Sequence, residues 1–231
     1  MLDFSPVSTL PADRRKTMVD CQIRTFDVTN LPVIEAFLAT PREGFVACED
    51  LALVYSDALQ TVAAGAVRRV MLAPMVLARL LQGADLDKGC RVLDVGGASG
   101  YSAAIVSQLA GSVVALESEA GFSSAAAANF QKLGLANVRT MTGPLAQGDA
   151  AEGPFDLILV NGAVEEGLEA LFSQLAPGGR LLCVMRAPGQ VGRAGKATRF
   201  DRIGADVSSR FLFDAAAPVL AGFQRKPQFS F

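Results

Sequence analysis

Between Cys90 and Met185 the apolar residues fall in short unbroken blocks that alternate with longer, mixed segments. Arg91-Val92-Leu93-Asp94-Val95 stops at Gly96-Gly97, Ser112 to Leu116 is ended by Glu117, and Asn137 to Thr142 follows. Phe155 to Val160 centres on Leu157-Ile158-Leu159-Val160, and Arg180 to Met185 comes after the turn residues Pro177-Gly178-Gly179. Blocks of this length and kind predict strands buried on both faces. Ser102 to Leu109, the alanine-rich Phe122 to Leu133, and Gly167 to Leu175 lie between them and predict helices. Strands and helices alternating at this spacing imply an α/β fold built on a doubly wound, Rossmann-like parallel sheet. The tail, Arg199 to Phe213 with Pro218 to Phe223, reads as an antiparallel hairpin at the sheet edge.

Upstream of the first block the spacing changes. Met18, Ile23, Val33, Ile34, Phe37 and Leu38 recur at helical intervals broken at Asp27 to Pro32, which predicts two short helices, the second ended by Pro41. Phe45 to Gly65 reads as irregular with short extended pieces, and Pro74 to Gln82 as a helix opening on its proline. The chain therefore divides into an N-terminal helical module, residues 1–82, and an α/β domain, residues 83–231. Ala187 to Thr198, with Pro188, Gly189, Gly192 and Gly195, predicts a mobile surface loop.

Composition narrows the chemistry. Hydrophobic residues make up 51% and charged residues 19%, enough apolar material to bury a sheet on both faces. A net charge of −2, with basic residues scattered apart from Arg14-Arg15-Lys16, Arg68-Arg69 and the stretch from Arg186 to Arg202, argues against a nucleic-acid partner. Cys21, Cys48, Cys90 and Cys183 form no C-x-x-C pair, so neither a metal site nor a disulfide framework is expected. The first eleven residues lack the basic and apolar stretches of a secretory signal, and no apolar run reaches the ~18 residues of a membrane span, so a cytoplasmic protein with no membrane partner is expected. There is no histidine. Any general base must then be a carboxylate, Tyr, Cys, Lys, backbone or water, which excludes most hydrolase triads.

The candidate site is the segment Asp94-Val95-Gly96-Gly97-Ala98-Ser99-Gly100-Tyr101, where glycines turn a strand into a helix whose first N–H groups are free for a ligand. Its order, G-G-x-S-G, lacks the third spaced glycine of a pyrophosphate loop, which weighs against a dinucleotide oxidoreductase. Glu117 ends the next strand about twenty residues on, where a carboxylate can accept both hydroxyls of a ribose. With Asp156 at the fourth strand, these features point to a nucleoside cofactor. Asp94 either works on the ligand, through an amino group or by ordering the loop, or caps the following helix.

These residues resemble the protein-L-isoaspartate O-methyltransferase family. Val92 to Tyr101 is similar to its V-L-E-I-G-T-G-S-G-Y, Pro154 to Val160 to P-F-D-x-I-L-V, and Gln174 to Leu181 to Q-L-x-P-G-G-R-L. Met18-Val19 with Gln22-Ile23, Pro41-Arg42-Glu43 with Phe45-Val46, and Tyr55 with Asp57 match the N-terminal module in order, so the resemblance runs from about Met18 to Met185. It implies a fold of the S-adenosylmethionine-dependent methyltransferase type with a cofactor-covering N-terminal module. It implies S-adenosyl-L-methionine as cofactor, held by Asp94, Val95, Gly96, Gly97, Ala98, Ser99, Gly100, Tyr101, Glu117, Ser118, Gly143, Pro144 and Asn161. The implied partner is a protein or peptide carrying an isoaspartyl carboxylate, met by the segment that includes Arg68, Arg69, Leu72 and Pro74.

Two departures bear on function. Where the family has G-Q-T-I-S-x-P, this chain has Arg68-Arg69-Val70-Met71-Leu72-Ala73-Pro74, so two hydroxyls that would sit beside the acceptor carboxylate are replaced by Val70 and Leu72. The family's G-D-G reads Thr142-Gly143-Pro144 here, which leaves adenine to backbone groups or leaves a plain turn. Arg68 and Arg69 read either as solvated surface charge or as a bidentate clamp for an acidic substrate. Methyl transfer to an ionised carboxylate needs alignment more than acid or base chemistry, so no catalytic residue is assigned. Isoaspartyl O-methylation, methylation of another acceptor, and a cofactor-binding sensor or interaction protein without isoaspartyl activity all remain open at this point.

Overall fold

The computed structural model describes residues 11–48, 50–64, 67–188 and 194–225. Phe229, Phe231 and the centre of the glycine-rich 187–198 segment lie outside the described residues. The chain opens on α1 (Pro11–Met18), prolonged by a π turn over Val19–Ile23 and a 3-10 turn over Arg24–Phe26, and continues with α2 (Leu31–Ala39). Asn30 starts α2 by accepting the Val33 N–H on its side chain, and Pro32 suits the first turn because it has no N–H to leave unpaired. The segment expected to be irregular holds more order than its composition suggests. It contains a 3-10 turn over Arg42–Phe45, α3 (Leu51–Val54) and β1 (Gln60–Ala64), which pairs antiparallel with β2 (Val67–Met71).

After α4 (Pro74–Gln82) comes the α/β core: β3 (Arg91–Val95), α5 (Tyr101–Ser107), β4 (Ser112–Glu117), α6 (Ala120–Lys132), β5 (Val138–Thr142), β6 (Phe155–Val164), α7 (Glu169–Ser173) and β7 (Leu175–Met185). Two further strands, β8 (Gly195–Ile203) and β9 (Asp206–Ala215), complete one sheet in the order β5-β4-β3-β6-β7-β8-β9. Strands β3 to β7 are parallel, and β8 and β9 add antiparallel at the edge. The strand order reverses direction between β3 and β6. That is the topological switch point, and the crevice outside the carboxyl ends of these strands is where such sheets bind ligands.

The tail departs from the expected hairpin. The hairpin is made by β8 and β9 alone, while Pro218 to Phe223 runs back across the carboxyl end of β6. The Ala163 N–H donates to Pro218 O at 2.8 Å, the Leu220 N–H donates to Ala163 O at 3.0 Å, and the Glu165 N–H donates to Phe223 O at 3.0 Å. β6 is able to receive it because its ladder with β3 ends at Val95 opposite Val160, which leaves the backbone groups of Ala163 on that edge open.

Two apolar layers enclose the sheet. One joins Leu93, Val95, Ile158, Val160, Leu171 and Leu181 to Leu220 and Phe223 of the tail. The other packs α4, α5 and α6 together with the N-terminal residues Met18, Ile23, Ile34 and Phe37 against Val92, Leu157 and Leu159. At its centre Tyr101 is edge-on to Phe37 and Phe45, with ring centroids 6.3 and 5.4 Å away, and the buried Arg42 guanidinium lies 4.8 Å above its ring. Because Tyr101 is the first residue of α5, the N-terminal segment is packed directly on the cofactor loop. Ser99 Oγ donates to Phe45 O and Gln108 Nε2 donates to Thr40 Oγ1 at 2.7 Å, which ties the same two parts by hydrogen bonds.

Phe37 is fully buried, so Phe37→Ala is expected to cost about 3–5 kcal/mol in urea unfolding. The loss is expected in a single transition shared by far-UV and near-UV signals. Two separated transitions would contradict the shared core.

Candidate functional site

The loop after β3 alternates between right- and left-handed backbone. Gly96, Ala98 and Gly100 have φ of +73°, +54° and +92°, and their N–H groups are bonded within the chain, to Leu116 O, Glu117 Oε1 and Gly97 O. Gly100 is needed for two reasons: its φ disfavours a side chain, and a Cβ would lie 2.6 Å from the Phe130 ring. Gly97 is needed for a third, since a Cβ there would run into the Asp94 carboxylate and the Ser102 hydroxyl. Ala98 tolerates a left-handed conformation at a cost of order 1 kcal/mol, a strain of the kind that collects at ligand loops.

Asp94, the fourth residue of β3, is completely buried. Its two oxygens accept from Asn161 Nδ2 of β6 and Ser102 Oγ of α5, both at 2.8 Å. Asn161 also donates to Val95 O at 3.2 Å. No side chain caps α5, whose N-cap is Gly100, so the capping role considered for Asp94 does not hold. Burial pushes the Asp94 carboxyl up to about 6, the hydrogen bonds from Asn161 and Ser102 pull it back, and the Glu117 charge pushes it up further.

Glu117, at the end of β4, is 3% exposed. Its Oε1 accepts the Ala98 N–H at 2.7 Å and its Oε2 accepts the Ser118 N–H at 3.0 Å. Oε2 also lies 3.6 Å from Arg69 Nη2 of β2, and the same guanidinium donates to Ser118 Oγ and stacks 5.4 Å from the Phe122 ring centroid. Burial holds Glu117 above the usual carboxylate range, with the Arg69 charge and the two N–H groups opposing it. Arg69 is thus neither surface charge nor a free clamp for substrate, because it is 8% exposed and committed to Glu117. Arg68, its neighbour on the other face of the strand, is exposed.

Val70, Met71 and Leu72 line a small cavity together with Leu77, Gly96, Gly97, Ala98, Tyr101, Ser102 and Asn161. Leu72 is buried and Pro74 opens α4 behind it, so the segment where the hydroxyls would sit faces the loop with aliphatic groups. Thr142-Gly143-Pro144 follows β5, and the Gly143 N–H donates to Glu117 O at 2.9 Å, which brings this turn beside the same carboxylate. Asp94, Asn161, Glu117, Ser118 and the 95–101 loop are therefore linked by hydrogen bonds at the switch point, with the turn at Gly143 bonded to the Glu117 backbone. Asp156 does not belong to it. Its Oδ2 accepts the Arg91 N–H at 2.8 Å at the opposite, amino end of the sheet, a structural role. Ser102, Gly162 and Leu220 were missed from sequence. A serine in a helix and a leucine in a tail carry no signal until the fold brings them to Asp94 and to the loop.

The donor set fits a nucleoside bearing an ammonium group. A buried carboxylate without a cationic partner at Asp94 and a strand-end acid at Glu117 suit S-adenosylmethionine, while the Gly96, Ala98 and Gly100 N–H groups, bonded within the chain, make no provision for a pyrophosphate. Fold and site together define the class of Rossmann-like S-adenosylmethionine-dependent methyltransferases.

The comparisons with known proteins narrow this class. The model of the family "Protein-L-isoaspartate(D-aspartate) O-methyltransferase (PCMT)" matches residues 13–210. A protein-L-isoaspartate O-methyltransferase of Koribacter versatilis is 34% identical over 184 residues, 80% of this chain and 82% of its own. One from Azorhizobium caulinodans is 32% identical over 201 residues, 87% and 90% of the two chains. A solved structure described as a protein-L-isoaspartate O-methyltransferase superposes with a TM-score of 0.80 at 26% identity, covering 91% of this chain and 67% of that one. A putative protein-L-isoaspartate O-methyltransferase from Plasmodium falciparum, solved with S-adenosyl-L-homocysteine, shares the fold at a TM-score of 0.73 and 20% identity, covering 90% of this chain and 98% of that one. The chain belongs to the protein-L-isoaspartate(D-aspartate) O-methyltransferase family.

Asp94 also leaves a signature in stability. Its folded pKa lies above the unfolded value of 3.8, so its contribution is greatest below pH 4 and is lost as pH rises through 6. Asp94→Asn removes this dependence. Between pH 4 and pH 7 the wild type is expected to lose up to about 3 kcal/mol relative to the variant. Parallel stability profiles for the two proteins across that range would contradict the raised pKa.

Proposed function

We propose that this chain is an S-adenosylmethionine-dependent O-methyltransferase that methylates the carboxylate of isoaspartyl residues in protein or peptide substrates. The observation that carries the reading is the convergence of Asp94, Glu117 and the 96–100 loop at the switch point of the sheet. In it Asp94 and Asn161 hold the amino-acid end of the cofactor, the loop passes beside it, and Glu117 takes the ribose. When bound, S-adenosylmethionine supplies an electrophilic methyl group on a positively charged sulfur. An acceptor carboxylate is already ionised at neutral pH, so the protein's task is to align it and exclude water. A chain without histidine can do this.

What the residues do at the acceptor end favours a second reading of substrate. Val70 and Leu72 offer no hydrogen bond, and each unmet bond at a buried carboxylate costs about 1–3 kcal/mol. An acceptor with a less demanding carboxylate, or one anchored by the exposed Arg68, would not need those hydroxyls. The family relationship supports the first reading and the aliphatic lining supports the second. Among the described residues no helix is long and apolar enough to cross a membrane, in keeping with a protein or peptide substrate met in solution.

Radiolabelled methyl transfer to an isoaspartyl peptide, with the aspartyl peptide as control, separates these readings. Turnover confined to the isoaspartyl peptide is expected, at a rate that rises when Leu72→Ser and Val70→Thr restore the hydroxyls. Methylation of other carboxyl groups with none of the isoaspartyl peptide supports the second reading. No transfer to any acceptor would overturn both.

A further inference from the structure

Little open space remains beside the cofactor loop. The space bounded by Val70, Leu72, Gly96, Gly97, Ser102 and Asn161 amounts to about 10 Å³, and the neighbouring one, between β2 and the tail, to about 70 Å³, whereas sites for ligands of this size run to several hundred Å³. Two groups, Leu220 and Arg69, line the second of these. Leu220 of the tail lies against the loop so closely that a Cβ on Gly96 would come within 2.9 Å of it and one on Gly162 within 2.5 Å. Arg69 reaches from β2 to Glu117 and Ser118, and with Leu220 it bounds the narrow opening between β2 and the tail.

Arg69 is drawn there by charge. Asp94 and Glu117 are two carboxylates buried side by side at the ends of adjacent strands, and Asp94 has only neutral hydrogen-bond donors. A guanidinium at Glu117 is the one cation that offsets this local negative charge among the described residues facing these two acids. It lies 3.6 Å from Oε2, which also accepts the Ser118 N–H, while Oε1 accepts the Ala98 N–H. A ribose on Glu117 and the guanidinium would thus compete for the same carboxylate. Moreover, Arg69 is on an antiparallel ribbon of two strands outside the main sheet, so its position is not fixed by the sheet that holds Glu117.

We propose that Arg69 is an intramolecular competitor of the cofactor, so that S-adenosylmethionine binds only when the Arg69–Glu117 pair opens. Arg69 is then an affinity-setting residue and no substrate clamp. The inference rests on the cofactor reading above, and its test separates the two. Calorimetric titration of S-adenosyl-L-homocysteine into the wild type, Arg69→Gln and Arg69→Lys reports binding directly, with thermal melts of the ligand-free proteins as a check on folding. The Gln variant is expected to bind at least ten-fold more tightly than the wild type. The Lys variant, which keeps the charge but not the planar fork, is expected to fall between them and guards against a Gln variant that does not fold. Equal affinities in all folded proteins, or weaker binding in the variants, would overturn the competitor role while leaving the cofactor site standing. Absence of binding in every folded protein would overturn the cofactor reading itself and the inference with it.

Discussion

Two carboxylates, Asp94 and Glu117, are held almost without exposure at the carboxyl ends of neighbouring parallel strands, and the arrangement around them follows from the need to accommodate their charge. A buried carboxylate without partners is costly, so each is surrounded by donors aimed at its oxygens. Asp94 receives the amide of Asn161 and the hydroxyl of Ser102, Glu117 the N–H groups of Ala98 and Ser118 and the guanidinium of Arg69. These donors come from β2, the loop after β3, α5, the segment after β4, and β6. The packing of five separate segments is thereby tied to two side chains. The charge retained there is greater than the fold requires for itself, which is the mark of a site kept for a ligand.

The N-terminal module and the tail serve that site from opposite directions. Phe37, Phe45 and Arg42 press on Tyr101 and so fix the first turn of α5, while Ser99 is tied to Phe45. On the other side, Pro218 to Phe223 uses the edge of β6 left open beyond the end of β3 to bring Leu220 over Gly96 and Gly162. The loop is therefore packed against the N-terminal segment on its helix side and against the tail on its strand side. Arg69 completes the cover with a polar group that a ligand can displace.

Much of this was legible in the sequence because the information is local. The blocks Arg91 to Val95, Ser112 to Glu117 and Phe155 to Val160 became strands because β-branched and leucine residues in unbroken runs have only a doubly buried sheet to occupy. Pro74 began its helix as its ring allows. Asp94, Glu117 and the glycine loop were visible because their spacing is set by one strand-turn-helix-strand unit. What escaped was non-local. The tail reads as a strand by composition, but which strand it pairs with depends on β6 running on past the end of β3, which no residue pattern announces. Arg69 looked like surface charge because it alternates with exposed positions on a short strand, and only the fold brings Glu117 across from it. Asp156 looked like part of the site because it opens a core strand, yet it sits at the wrong end of that strand.

A co-crystal structure with S-adenosyl-L-homocysteine tests most directly the claim that these two carboxylates hold the cofactor and that the chain's own side chains stand in its place. The account predicts the ribose hydroxyls on Glu117, the amino group beside Asp94, and Arg69 and Leu220 displaced from the crevice. A ligand bound elsewhere, or bound with the Arg69–Glu117 pair intact, would contradict it.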